Sequence, residues 1–328
     1  MKIMDKNREM KLAISFIQGV SAEDLARIWK TDILWESIEI FLGKDGMEKF
    51  TKELDWLNDS SLGEHGHVFY DEEDYPQSLK SDPYAPYRIA YIGSKPKGTN
   101  GTFNRAESVT VIGTRRCTSE GIKEAFVFAS EAANAGLIVY SGYADGIDKA
   151  AHFGAVATKS PTFAVLPSGL SHSYAHRNVR LEEYILGNGG GLLSQFKYDA
   201  EPYKSNFYIR NRMLASITDA TVVIEAPEHS GSLITAHAAV ERGKGVYVCS
   251  PFLKNSPTTD GIHLLKSEGA IEVSSYSSLS DRFNEFPKGP LTLEVRKDKC
   301  AEMKVGARMD KTVVVGYNGS YFSFLSTH

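Results

Sequence analysis

The stretch that decides the fold is "VIGTRRCTSEG", residues 111–121. An apolar run ends in Gly113, and the pattern predicts a helix over 119–135. Strand, glycine and helix in that order open a nucleotide-binding fold. Yet the stretch is not G-x-G-x-x-G. Arg115 and Arg116 stand where glycines would let a pyrophosphate approach the backbone.

Working outward, the same beat repeats. Apolar runs follow at 137–142, 162–169, 191–196, 220–226 and 245–251, with "SVTVIGT" (108–114) as the first. They are continuous and rich in Val and Ile, which predicts strands buried on both faces. Helical stretches lie between most of them, near 119–135, 145–158, 176–187 and 232–243. "IHLLKSEGAIEV" (262–273) adds one more helix and strand. Strand–helix alternation predicts an α/β fold: an extended Rossmann-like parallel sheet with helices on both faces.

The flanks read differently. Apolar positions Leu12, Phe16 and Ile17, then Leu25, Ile28 and Trp29, recur at helical spacing, and Ser21 is a helix N-cap. They predict a small helical domain over 1–64, SAM-like or helix-hairpin-helix-like. Residues 65–104 read as an extended lead-in and linker ending in "SKPKGTNGT" (94–102). The Rossmann-like domain is expected over 105–284. Residues 285–328 form a C-terminal extension of unknown role, with a β-hairpin expected through Asn318–Gly319.

Composition narrows the function classes. The chain has 328 residues, 42% of them hydrophobic and 24% charged, with a net charge of −4. No apolar run approaches the roughly 18 residues of a membrane span, so no membrane role is expected. No signal peptide is read. Three scattered cysteines suit a reducing cytoplasm, and nine histidines without ligand spacing predict no metal. Acidic against basic residues number 18 to 13 over 1–104, 14 to 14 over 105–245 and 9 to 10 over 246–328. A basic patch in the middle region must therefore come from clustering in space.

Ligands of open α/β sheets bind outside the carboxyl ends of the strands. Five loops converge there. They are "GTRRCTSEG", "SGYADGIDKAAH", "PSGLSHSYAHRN", the approach to "NFYIRNRMLA", and "PEHSGSLITAH". Ser230, Gly231, Ser232 and Thr235 open a helix and form the best anion cradle. Arg115, Arg116, Arg177, Arg210 and Arg212 add always-charged forks for phosphates. One loop would hold a mononucleotide; five imply a longer backbone. Each feature also has a plainer reading. Gly113 and Gly121 read equally as packing glycines, and Arg210 and Arg212 as salt-bridged residues. Asp148 and His152 read as a capping acid with a structural partner. Tyr174, His172 and His176 read as base-stacking groups or as exposed loop aromatics. No Ser nucleophile elbow and no Walker pattern is present.

The loops together resemble the DprA/Smf family of DNA-processing proteins of bacterial transformation. The matching segments are "VIGTRRCTSEG", "SGYADGIDKAAHFGA", "AVLPSGLSHSYAHRN", "GGLLSQF", "FYIRNRMLASITDATVVIEA" and "SGSLITAHAAVERGKGVYVCS". The resemblance covers roughly 10–275. It implies sequence-independent binding and protection of single-stranded DNA, handover to a RecA-type recombinase, a homodimer and no catalysis; a cytoplasmic location and no cofactor are expected beside it. It carries DNA-binding roles onto Gly113, Thr114, Arg115, Arg116, Ser141, Gly142, Lys149, Ser168, Gly169, Arg177, Asn178, Arg210, Asn211, Arg212 and the Ser230–Ser232 turn with Thr235. The chain departs from the family at Pro167 and near Ser171, at Asp145 beside the expected phosphate path, and at Gln195. The family's winged-helix-like end is not recognisable in 285–328. A specialised relative in mobile-element biology or phage defence is one alternative. Another is a small-nucleotide sensor or hydrolase on the same scaffold. Against hydrolysis, Glu241 follows Thr235 by six residues, unlike the "PGGxGTxxE" loop of phosphoribohydrolases. A pure protein-interaction module is the third.

Overall fold

The computed structural model describes residues 5–17, 20–59, 65–96, 107–249, 257–283, 312–317 and 320–325. The chain starts with three helices, α1 (Lys6–Ser15), α2 (Ala22–Trp29) and α3 (Trp35–Asp59). Ser21 caps α2 as its spacing predicts, its hydroxyl accepting from Asp24 N at 3.1 Å. Gly43, at φ +63°, breaks α3 into two pieces, a conformation that favours glycine.

The lead-in holds β1 (Gly66–Phe69), one turn of helix α4 (Gln77–Lys80) and β2 (Arg88–Gly93). Its aromatic residues are the reason it folds onto the rest. Tyr75 and Tyr87 are buried, and Trp29 of α2 packs at a tilt against Tyr87 with ring centroids 4.8 Å apart. Trp29 Nε1 also donates to Ala85 O at 3.1 Å, which ties the helical part to the lead-in.

The alternating region follows the expected beat: β3 (Ser108–Ile112), α5 (Ser119–Asn134), β4 (Ile138–Ser141), α6 (Ile147–Ala157), β5 (Thr162–Val165), α7 (Val179–Gly187), β6 (Gly191–Ser194), α8 (Lys204–Ile217), β7 (Ala220–Val223), α9 (Gly231–Glu241), β8 (Gly245–Val248), α10 (Asp260–Ser267), β9 (Ile271–Glu272) and α11 (Tyr276–Phe283). All nine strands from β1 to β9 join one sheet in the order β1-β2-β6-β5-β4-β3-β7-β8-β9. β1–β2 and β2–β6 pair antiparallel; every other pair in this sheet is parallel. The lead-in thus closes one edge of the sheet as a hairpin.

Period-2 alternation explains why the runs read as continuous. Val109 and Val111 of β3 pack with α5 and α6 on one face, and Ile112 packs with α8 and α9 on the other. Thr110 also turns to the second face, where its hydroxyl donates to Leu214 O of α8 at 3.0 Å. After β6 the chain crosses to the far side of β3 and starts β7. The winding reverses between β3 and β7, and that is the topological switch point where open α/β sheets hold ligands. At the C-terminus β10 (Thr312–Tyr317) and β11 (Ser320–Leu325) pair antiparallel, with Thr312 opposite Leu325. The expected turn at Asn318–Gly319 lies outside the described residues, as does the rest of 284–311.

Candidate nucleic-acid interface

At the switch point the two strand ends are already in contact. Thr114 N donates to Glu225 O at 2.7 Å, and a Cβ on Gly113 would stand 2.7 Å from that same carbonyl. Gly113 therefore serves close packing of β3 on β7. Glu225, two residues past the end of β7, is fully buried. Its carboxylate accepts from Thr118 N at 2.9 Å and from the Thr118 hydroxyl at 3.1 Å, at the N-terminus of α5. A helix N-terminus attracts an anion, and here the protein supplies its own. The seat that a dinucleotide fold gives to pyrophosphate is filled by a side chain. Sequence reading missed Glu225, because a strand-final acid becomes an internal anion only once β7 is known to lie beside β3.

Exposed positive charge lies beyond this crevice. Arg115 and Arg116 are exposed in the loop after β3. Arg116 N donates to the Thr114 hydroxyl at 3.2 Å, which orders the turn, and its guanidinium has no partner among the described residues. The Arg115 guanidinium lies 4.8 Å from the ring centre of Phe207 on α8. Arg177, in the loop after β5, lies 4.2 Å from the ring of Tyr174 and 5.5 Å from that of Tyr143. It also donates to Tyr143 O. Tyr174 meets Phe207 edge to face at 6.0 Å. Two aromatic rings, Phe207 and Tyr174, therefore lie between Arg115 and Arg177, in a row across the loops after β3 and β5 and the start of α8. Phe207 and Tyr143 were not singled out in the sequence. Tyr143 has a signal only in the backbone, a φ of +59° that non-glycine residues rarely adopt.

One acid enters this row. Asp145, in the loop after β4, places Oδ2 3.6 Å from Arg177 Nη1. Lys149 is half-buried in the first turn of α6. The flanking histidines are used internally. His172 Nδ1 accepts from Tyr174 N at 3.0 Å, and His176 pairs with Glu182 at 3.0 Å and lies 3.0 Å from Leu170 O.

The remaining expected contacts fall into the frame beneath. Ser141 is buried, its hydroxyl donating to Val111 O at 2.6 Å. Ser168 is buried, and its carbonyl accepts from the Ser194 hydroxyl at 2.7 Å. Gly169 N donates to Ala200 O at 2.8 Å, and a Cβ there would collide with the carbonyls of Lys197 and Tyr198. Asn178 caps α7, accepting from Leu181 N at 3.3 Å. Arg210 and Asn211 are buried. Arg212 stacks on Tyr84 at 3.9 Å and faces Glu241 at 3.7 Å, toward the lead-in. At α9, Ser230 caps the helix by accepting from Ser232 N at 3.3 Å; Ser232 and Thr235 are buried. Gly231 alone of that turn is exposed. Among the described residues no group of three His, Cys, Asp or Glu could hold a metal ion, and no helix is long and apolar enough to cross a membrane.

The fold and the edge together define a Rossmann-like protein whose dinucleotide crevice is internally filled and whose carboxyl edge carries arginines on aromatic faces. The chain belongs to the DNA recombination-mediator protein A family, whose model matches residues 66–284. It is 35% identical over 201 residues to the DNA processing protein DprA of Streptococcus pneumoniae, an alignment covering 61% of this chain and 68% of that one. The crystal structure of that DprA superposes with a TM-score of 0.69 at 29% identity, covering 85% of this chain and 98% of its own. A Helicobacter pylori DprA, solved for its single-stranded DNA binding mode, superposes with a TM-score of 0.54 at 25% identity. That match covers 67% of this chain and 95% of the other.

Proposed function

We propose that this chain binds single-stranded DNA, without reading its sequence, along the carboxyl edge of the sheet. The observation that carries the reading is the row of Arg115, Phe207, Tyr174 and Arg177, with Arg116 exposed beside it. Arginines neutralise phosphates, and aromatic faces stack on any base, so the pair of groups suits a strand of unspecified sequence. Family membership and the DNA-binding mode described for the Helicobacter pylori relative support it. The internal carboxylate of Glu225 weighs against a small nucleotide in the same fold.

The wider reading is that the bound strand is protected in the cytoplasm and passed to a RecA-type recombinase by a homodimer. Residues 105–284 would carry the DNA site, with 1–64 and 65–104 as its helical domain and lead-in. The test is a titration of labelled single-stranded oligonucleotides of differing sequence at several salt concentrations. Similar affinities that fall steeply with salt are expected. Affinity that is absent or insensitive to salt would sink the reading.

A further inference from the structure

Arg210 and Asn211 sit side by side on α8, and neither is free to meet a ligand. Arg210 is 4% exposed. Its Nη1 donates to Gly142 O, after β4, and to Val165 O, at the end of β5, at 2.8 Å. Its Nε donates to Asn211 Oδ1 at 2.8 Å. Asn211 Nδ2 in turn donates to Gly231 O, after β7, at 3.0 Å. The buried carboxyl of Asp148 supplies the opposing charge. Gly142 completes the seat, because a Cβ there would lie 2.6 Å from Arg210 Nη1 and 2.5 Å from Asp148 Oδ2.

The strand ladders run out at Gly142 O and Val165 O, Gly231 O opens α9, and buried carbonyls need donors. A guanidinium carries five donors in one rigid plane, so it can hold carbonyls from two strands at a fixed spacing. We propose that Arg210 and Asn211 are positioning residues. They form a buried strut that sets the loops after β4, β5 and β7 in register beneath the DNA-binding edge, and they do not touch phosphate. The proposal rests on the single-stranded DNA reading above.

Asn211→Ala, Gly142→Ala and the neutral Arg210→Gln test it, measured at a temperature where each variant is fully folded by circular dichroism. Oligo-dT affinity is read over a salt series, with amide exchange of 142–146, 165–169 and 230–232. Asn211→Ala and Gly142→Ala change no charge. They are expected to weaken binding about tenfold, the size of one lost hydrogen bond, with faster exchange in those loops. A direct phosphate role for Arg210 predicts otherwise: Asn211→Ala and Gly142→Ala bind normally, and only a neutral residue at 210 lowers the salt slope, by about 0.7. That result overturns the strut. So does a drop in melting temperature with unchanged affinity of the folded protein, which would mark a purely structural pair. If wild-type protein binds no oligonucleotide, the functional reading fails. Unchanged loop exchange in Asn211→Ala would then separately overturn the strut.

Discussion

Arg177 lies across two aromatic rings with a carboxylate 3.6 Å away, so part of its charge is already spent. The Asp145 partner is largely exposed, and such pairs are worth about 0.2–1 kcal/mol. Asp145→Asn is therefore expected to tighten oligonucleotide binding by up to about fivefold, by freeing Arg177 and removing a charge that repels phosphate. Fluorescence anisotropy at low salt checks this; unchanged or weaker binding would mean that Asp145 does not face the strand. Arg115 and Arg116 are exposed and form no direct ion pair among the described residues, though Arg115 stands near enough to the buried Asp148 to offset part of the upward push that burial gives its carboxyl pKa. Replacing both with Ala should lower the salt slope by about 1.4, at about 0.7 per phosphate, and weaken all sequences alike. A loss confined to particular sequences in a panel of oligonucleotides would count against phosphate contacts.

At the scale of elements, α6 carries a buried titratable group that couples the sheet to pH. His152 Nδ1 lies 2.8 Å from the Thr162 hydroxyl, whose proton goes to Val139 O at 2.7 Å. The hydroxyl can then only accept, so Nδ1 bears the ring proton. Burial, with the Arg210 charge nearby, pushes the His152 pKa down to about 3. The unfolded chain binds a proton near pH 6.5 that the folded chain refuses. The stability from neutral His152 is complete above that pH and is lost as pH falls toward 3. At pH 5 the loss is about 2 kcal/mol. Urea unfolding at pH 7 and pH 5 should show this component in wild type and not in His152→Gln; equal pH dependence in both would refute it. In the loop after β5, Gly169→Ala drives a Cβ into two backbone carbonyls. A cost of at least 1–3 kcal/mol is expected from such overpacking, read as a lowered melting temperature.

Across the whole molecule the lead-in is joined to the parallel region by a buried ion pair. Asp82 accepts from Arg242 Nε at 2.7 Å and from Nη2 at 3.1 Å, and it also accepts from the Ser216 hydroxyl. Against the upward push of its burial, the Arg242 guanidinium holds the Asp82 carboxyl below its usual pKa. Removing one partner of a buried pair strands the other and costs about 3–5 kcal/mol. Asp82→Ala should therefore lower stability by that amount, and the lead-in and parallel region should still melt in one transition. Calorimetry that showed two separate transitions in the wild type would refute this coupling. Asp82 drew attention in the sequence only as one of many N-terminal acids, because its partner lies 160 residues away.

The alternating layer was legible because strands buried on both faces leave uninterrupted Val and Ile runs, and amphipathic helices leave a 3.6 period between them. Arg115, Arg116 and Arg177 were legible for a similar reason, since their loops follow strand ends and the carboxyl edge follows from the fold class. Those local signals determine that the chain is a Rossmann-like sheet with arginines at its carboxyl edge. Which arginine is exposed was decided only by tertiary structure. Arg210 and Arg212 share a motif with Asn211, yet one is buried on strand-end carbonyls and the other stacks on Tyr84 of the lead-in. Whether the crevice is open was decided the same way, by Glu225, just past β7, reaching the start of α5. Exposure and charge pairing depend on which strands become neighbours, and β7 crosses the sheet to lie beside β3. No period in the sequence records that crossing.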